Sequence, residues 1–245
     1  GMFSFAKVVG AKPATIWFLG LFDTVSSVIL PRRNGPFPGL ATLPCTRKNA
    51  SVRMVRHAGA IDERRALFRF NRWTEPQPFV ADRFHRPADP PTQDVKQVWF
   101  AGVHADIGGG YPEAEAGLAK IPLLWMLREA EDAGLRLSER RIRRFVLGEP
   151  AGGAGVFSPP SATATLHASL RGHEIFEIIP KPRGVAETRA PRWPLYLPLA
   201  EPRSLSRTRR VPLIHESVFE RIAAGGYAPV SLPDTYEVVS TRRVP

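Results

Sequence analysis

Residues 14–25, ATIWFLGLFDTV, form a continuous apolar run that ends in an acid. A strand with one face in water alternates apolar and polar side chains, and this run does not. It fits a central strand of a parallel sheet, covered on both faces. Residues 95–104, VKQVWFAGVH, read as a second such strand, followed at once by ADIGGGYP. Three glycines there predict a tight turn with exposed backbone amides.

Between these strands, residues 50–67, ASVRMVRHAGAIDERRAL, carry Val52, Val55, Ala58 and Ile61 at helical intervals, which predicts a helix. Residues 67–73, LFRFNRW, alternate apolar and basic and predict a strand. Residues 26–44 and the five-proline stretch 74–93 read as loops. Leu118 to Ala133 predicts a helix with Leu118, Ile121, Leu124 and Trp125 on its apolar stripe. Pro122 fits it only in the first turn, and Gly134 is placed as its C-terminal cap. Strands alternating with helices predict an α/β fold with a mostly parallel sheet, in which residues 15–23 and 96–103 are neighbouring or near-neighbouring strands.

The pattern weakens after residue 148. Residues 148–165 show little periodicity, 166–179 suit helix or strand, and 180–212 are rich in Pro and Arg. Residues 213–224, LIHESVFERIAA, predict a short amphipathic helix. The expected division is a core over residues 1–148 and a Pro/Arg-rich extension packing on it over residues 149–245.

The chain has 245 residues, 43% of them hydrophobic, which is enough for a sizeable core. Its net charge of +11 admits an anionic membrane surface as a partner. The excess is mostly scattered arginine beside abundant Ala and Pro, which is also what a GC-rich genome produces, and no nucleic-acid partner is expected. Cys45 is the single cysteine, so neither an intrachain disulfide nor a cysteine zinc site can form. No run approaches the roughly 20 apolar residues of a membrane span. Residues 1–9 lack the apolar core of a signal peptide. The expectation is a cytoplasmic protein, or one exported by a signal-peptide-independent route.

Asp23 closes the first strand and His104 the second. The C-terminal edge of a parallel sheet is where such folds keep their sites. In a nucleophilic hydrolase, a histidine takes the proton of the nucleophile while an acid fixes the imidazole tautomer. Asp106 is expected to hydrogen-bond the glycine turn. The turn lacks the Lys and Ser/Thr of a P-loop. His215 is expected to cap or pack a helix, and His57, His85, His167 and His173 have no mutual ligand spacing. Neither a metal, as through His104, Asp106 and Asp23, nor any other cofactor is expected.

FLGLFDTVSS, HAGAIDERRALF, QVWFAGVHADIGGGYPE with LLWMLREAEDAGL, and IHESVFERI with YAPVSLP follow one another across residues 16 to 233. In that order they resemble the blocks of a family of bacterial and fungal α/β-hydrolase-like proteins that includes the first group of type VI secretion phospholipase effectors. The resemblance implies a serine esterase or phospholipase acting on a lipid or ester substrate, with His104 as catalytic histidine. Two acids match family blocks: Asp23 in LFDTV, at a strand end, and Asp62 in AIDERR, closer in chain order to the place of the usual acid. The family's nucleophile stands in a G-x-S-x-G elbow on a strand preceding FLGLFDTV. This sequence contains no G-x-S-x-G, and Ser4, Ser26 and Ser27 lack the elbow's glycines. The expectation is therefore a partial hydrolase fold holding the acid and the histidine but not the serine: a truncated product, a mis-assigned start or one half of a split enzyme. The alternative is a non-catalytic remnant or binding module. Missing early strands would expose a sheet edge, which invites a homodimer or the missing N-terminal half.

Overall fold

The computed structural model describes residues 14–25, 28–30, 39–41, 46–65, 68, 70–82, 84–150, 156–167 and 211–242. In chain order the elements are β1 (Ile16–Phe22), β2 (Val28–Leu30), β3 (Gly39–Ala41), β4 (Val52–Ala60), β5 (Asp94–Phe100), α1 (His104–Gly108), a 3-10 turn (Glu113–Glu115), α2 (Gly117–Asp132), α3 (Glu139–Phe145), β6 (Leu213–His215), α4 (Glu216–Ala223) and β7 (Glu237–Val239). Five strands form one sheet in the order β1-β4-β5-β6-β7, and every neighbouring pair in it is parallel. β2 and β3 make a separate antiparallel ribbon. The fold is α/β, as the alternation of elements predicted.

β1 is apolar throughout because both its faces are covered. Phe18 and Phe22 pack on the cluster of Phe100, Leu118, Trp125 and Met126, while Leu19 and Leu21 pack on Val52, Val55, Trp73 and Val95. Its position differs from the expected central one. Among the described residues β1 is the outermost strand, hydrogen-bonded to β4 alone, and Trp17 is 58% exposed. One strand, β4, separates β1 from β5.

β4 is the main correction. Residues 52–60 form a strand where the spacing of Val52, Val55 and Ala58 predicted a helix. The strand lies between β1 and β5 and is buried on both faces, so apolar residues fall at any interval along it. The polar pair Arg56 and His57 imitates the wet face of a helix, yet both are buried. Arg56 is held by Asp94 at 2.7 Å and by Glu129, which also binds Lys96. His57 stacks on Phe70 at 4.1 Å. Gly59 leaves room for Phe70 and Trp99, each of which would lie 2.9 Å from an added Cβ.

The strand expected over residues 67–73 reduces, among the described residues, to a single bridge between Phe70 and Val25. Phe70 and Trp73 are instead buried in two different clusters, so the segment is shaped by packing and not by a ladder. In α2, Pro122 sits past the first turn, later than expected, within the buried stripe. Gly134 does end the helix: at φ 97° its N–H reaches Glu131 O and that of Leu135 reaches Ala130 O.

The expected boundary at residue 148 does not divide the sheet, because β6 and β7 extend it from within residues 213–239. Of the helix expected over 213–224, the first three residues are β6 and the rest is α4. Residues 168–210, with most of the 166–179 segment, His173 and the Pro/Arg-rich stretch, lie outside the described residues, as do Ser4, Ser26, Ser27 and Cys45. No helix among the described residues is long and apolar enough to cross a membrane.

His215 caps α4, as expected: its Nδ1 accepts from Ser217 N–H, while Nε2 meets Thr241 Oγ1 at 2.8 Å. The ring stacks on Phe100 at 4.6 Å. Burial, opposed only by Glu216, pushes its pKa down to about 4. Since this lies below the ordinary value near 6.5, the neutral ring stabilises the fold above about pH 6.5, and the benefit fades as pH falls toward 4. His215→Asn keeps a capping oxygen but cannot titrate. It is expected to lower stability at pH 7 and to flatten the loss between pH 6.5 and 4 by roughly 3 kcal/mol. Urea titrations of both proteins across that range check this.

Candidate active site

Asp23 follows the last residue of β1. Its N–H continues the ladder to Ala58 O at 2.7 Å, and its backbone then turns to φ 41°, a conformation that Asp and Asn tolerate best among non-glycine residues. The turn is fixed from β4: His57 Nε2 accepts from Thr24 N–H at 3.2 Å and meets Thr24 Oγ1 at 3.0 Å. The carboxylate is fully buried. Oδ1 accepts from Ala60 N–H at 2.8 Å, and Oδ2 lies 2.7 Å from His104 Nδ1.

His104 opens α1, four residues past the end of β5. Gly102, at φ 124°, makes the intervening turn possible, since a Cβ there would stand 2.5 Å from Asp106 Cβ. The imidazole side chain is 30% exposed, and Phe68 meets it edge-on with ring centroids 5.1 Å apart. With Nδ1 turned to Asp23, Nε2 has no hydrogen-bond partner among the described residues. An imidazole held at Nδ1 by a buried carboxylate, with Nε2 toward solvent, is arranged to take up a proton at Nε2.

The other acids have different work. Asp62 Oδ2 accepts from Gly102 N–H at 2.8 Å and from Tyr227 Oη at 2.7 Å, and makes no bond to the imidazole. Burial raises its pKa, against the opposing effect of those hydrogen bonds and Arg221. Asp106 Oδ2 accepts from Val103 N–H at 3.0 Å, at the turn into α1 and not at glycines 108–110, where its bond was expected. Glu63, which sequence reasoning missed, accepts from His104 N–H at 3.1 Å. Three consecutive amides, 102 to 104, are thus each held by a different carboxylate, and Asp23 is the acid brought to the ring. The available signal for Glu63 was its place beside Asp62, directly after an apolar run.

A second ionic cluster lies behind α1. His167 Nδ1 stands 2.6 Å from Asp106 Oδ1 and its Nε2 2.9 Å from Glu115, with Tyr111 stacked on the ring at 3.4 Å. Burial lowers the pKa of His167, but Glu115 and Asp106 outweigh it and hold the value above normal. Beside this cluster, Phe22, Ala105, the glycines 108–110 and Leu123 line a cavity of about 300 Å³. Among the described residues no group of three or more His, Cys, Asp or Glu is placed to hold a metal ion.

A parallel sheet flanked by helices, with an acid–histidine pair beyond its strand ends, defines an α/β protein. Comparison with known families agrees: the family described as the catalytic domain of Tle1-like phospholipase effectors of the type VI secretion system matches residues 2–129, just over half of the chain. The chain belongs to this family. It is also 37% identical over 57 residues to the uncharacterised protein YEL023C of Saccharomyces cerevisiae, a match covering 22% of this chain and 8% of the yeast protein. No solved structure matches the chain.

The contact between Asp23 and His104 makes a spectroscopic prediction. Asn tolerates the φ of position 23, so Asp23→Asn is expected to fold. An amide N–H₂ facing Nδ1, with its oxygen kept by Ala60 N–H, would force the imidazole into the Nε2–H tautomer. Histidine ¹⁵N–¹H spectra are expected to show the Nδ1–H tautomer for His104 in the parent chain and the opposite one in Asp23→Asn.

Proposed function

We propose that this chain carries the acid and general base of a serine esterase acting on lipid or other carboxylic esters. His104 Nε2 takes the proton of a serine hydroxyl as that oxygen attacks the ester carbonyl carbon. The same proton then goes to the departing alcohol, and a water molecule repeats the sequence to release the acid. Asp23 keeps the Nδ1–H tautomer and stabilises the imidazolium. The 2.7 Å contact between His104 Nδ1 and buried Asp23, with Nε2 left open, carries the reading. Asp62 is assigned to holding the Gly102 amide and not to the reaction.

The serine comes, on this reading, from outside these 245 residues, which contain no G-x-S-x-G. Membership of a phospholipase effector family supports a lipid substrate. The charge of +11 supports a site of action at an anionic membrane surface. The absence of an elbow from the sequence also favours a second reading, a binding module of the same fold.

The two readings part in one experiment. The chain by itself is expected to show no hydrolysis of a short-chain aryl ester or of phospholipid vesicles. Part of the oxyanion hole follows the nucleophile in such enzymes, and loss of a donor there alone costs about 10²–10³ in rate. Fused to, or mixed with, a serine-bearing N-terminal segment of the same family, it is expected to hydrolyse both. His104→Ala is then expected to lower turnover by about 10⁴-fold or more. Continued inactivity with that segment present would favour the binding module. Hydrolysis by the isolated chain, abolished by His104→Ala, would place the nucleophile within it, with Ser26 and Ser27 the first to replace.

A further inference from the structure

Glu63 is a buried acid that the proton transfer does not use. Besides the His104 N–H, its carboxylate receives three donors from Arg65: the backbone N–H at 2.8 Å, Nε at 3.0 Å and a terminal nitrogen at 2.9 Å. Burial pushes its pKa up, but Arg65 and the His104 N–H outweigh that and hold it below normal. Arg65 then sits over Phe68, its guanidinium carbon 3.5 Å from the ring centroid, and Phe68 meets the His104 imidazole edge-to-face. The contacts close a ring: His104 amide, Glu63 carboxylate, Arg65 guanidinium, Phe68 ring, His104 imidazole.

We infer that Glu63, acting through Arg65 and Phe68, is a positioning residue that sets the orientation of the His104 ring toward Asp23. The inference rests on the reading of His104 and Asp23 as an acid–histidine pair. Its physical basis is geometric. A single hydrogen bond to Asp23 fixes the Nδ1 atom but leaves the 30%-exposed imidazole free to rock about that contact. The Glu63 bond fixes the backbone from which the ring departs. Phe68, pinned by the cation–π contact with Arg65, blocks one side of the ring. A carboxylate whose role was only to stabilise the fold would need none of the links from Arg65 to the imidazole. Since hydrogen bonds to a buried ionised carboxylate are among the stronger ones, the arrangement is stiff.

Histidine ¹⁵N–¹H spectra of the whole 245-residue chain test it, read as the tautomer of His104 and the exchange rate of its Nδ1 proton with water. Glu63→Gln is expected to speed that exchange about tenfold, the factor that loss of one hydrogen bond to a charged group implies, and to mix the tautomers. Arg65→Gln and Phe68→Leu are expected to do the same to a smaller degree, and Arg65→Lys to restore part of the protection. Arg65 and Phe68 are not fully buried, so these variants decide the matter if Glu63→Gln does not fold. An unchanged tautomer and exchange rate in the folded variants would overturn the inference and leave the Asp23–His104 pair standing. No Nδ1–H tautomer in the parent chain would overturn the pair itself.

Discussion

The parallel pairing of β4 with β1 on one side and β5 on the other is the constraint on which the site depends. Adjacent strands lie roughly 4.8 Å apart, so the ends of β1 and β5 are separated by about 10 Å. An aspartate and a histidine from those two ends can meet only over the end of the strand between them. β4 ends in Ala58, Gly59 and Ala60, which put little side chain in the way. Its last amide, Ala60 N–H, also donates to Asp23 Oδ1 and so aims the other carboxylate oxygen at His104. The interstrand bonds continue past the ends of the strands, from Ile61 N to Phe100 O and from Asp62 N to Gly102 O, and keep the two exits in step up to the site.

Burying this much charge near a sheet end is costly unless each group has a partner. The structure meets that condition by sharing. Arg56, within β4, is divided between Asp94 and Glu129, and Lys96 leans on Glu129 from the neighbouring strand. Arg128 is paired with both Glu131 and Glu139, which ties the last turns of α2 to α3. These pairs give register and specificity more than net stability. Arg56 is the clearest case: in the register it stands opposite Lys96, and its guanidinium reaches back to Asp94, two residues earlier on β5.

How much of this was legible in the sequence follows from what each residue answers to. β1, β5 and α2 were legible because burial and caps are local signals: an apolar run, a tight glycine turn, a Gly at the end of a helical stripe. Asp23 and His104 were legible for the same reason, each being a polar residue that follows an apolar strand, although β5 ends four residues before His104. β4 was not. Its Arg56 and His57 meet Glu129, Thr24 and Phe70, none of them near in sequence, and no window along the chain shows those contacts. The last two strands in chain order were hidden likewise. β6 and β7 have three residues each, too few to show a period, and they lie far along the chain from the strands they extend. Asp62 matched the expected block but not the geometry, and Glu63 could be valued only once its distance to His104 N–H was known.

The three amides of residues 102 to 104 explain why that difference matters. Gly102, Val103 and His104 turn from strand to helix and leave their N–H groups without backbone partners among the described residues. Asp62, Asp106 and Glu63 take one each. Each carboxylate also reaches outward, to Tyr227 beyond α4, to His167, and to Arg65. The turn bearing His104 is therefore tied to three separate parts of the chain. Amides so occupied are not free to bind a developing oxyanion, which assigns any such donors to another part of the site. The same occupation removes Asp62, Asp106 and Glu63 from competition for the imidazole. What singles out Asp23 is therefore not its acidity but its place: it stands on the far side of β4, where it holds Ala60 N–H with one oxygen and meets the imidazole with the other.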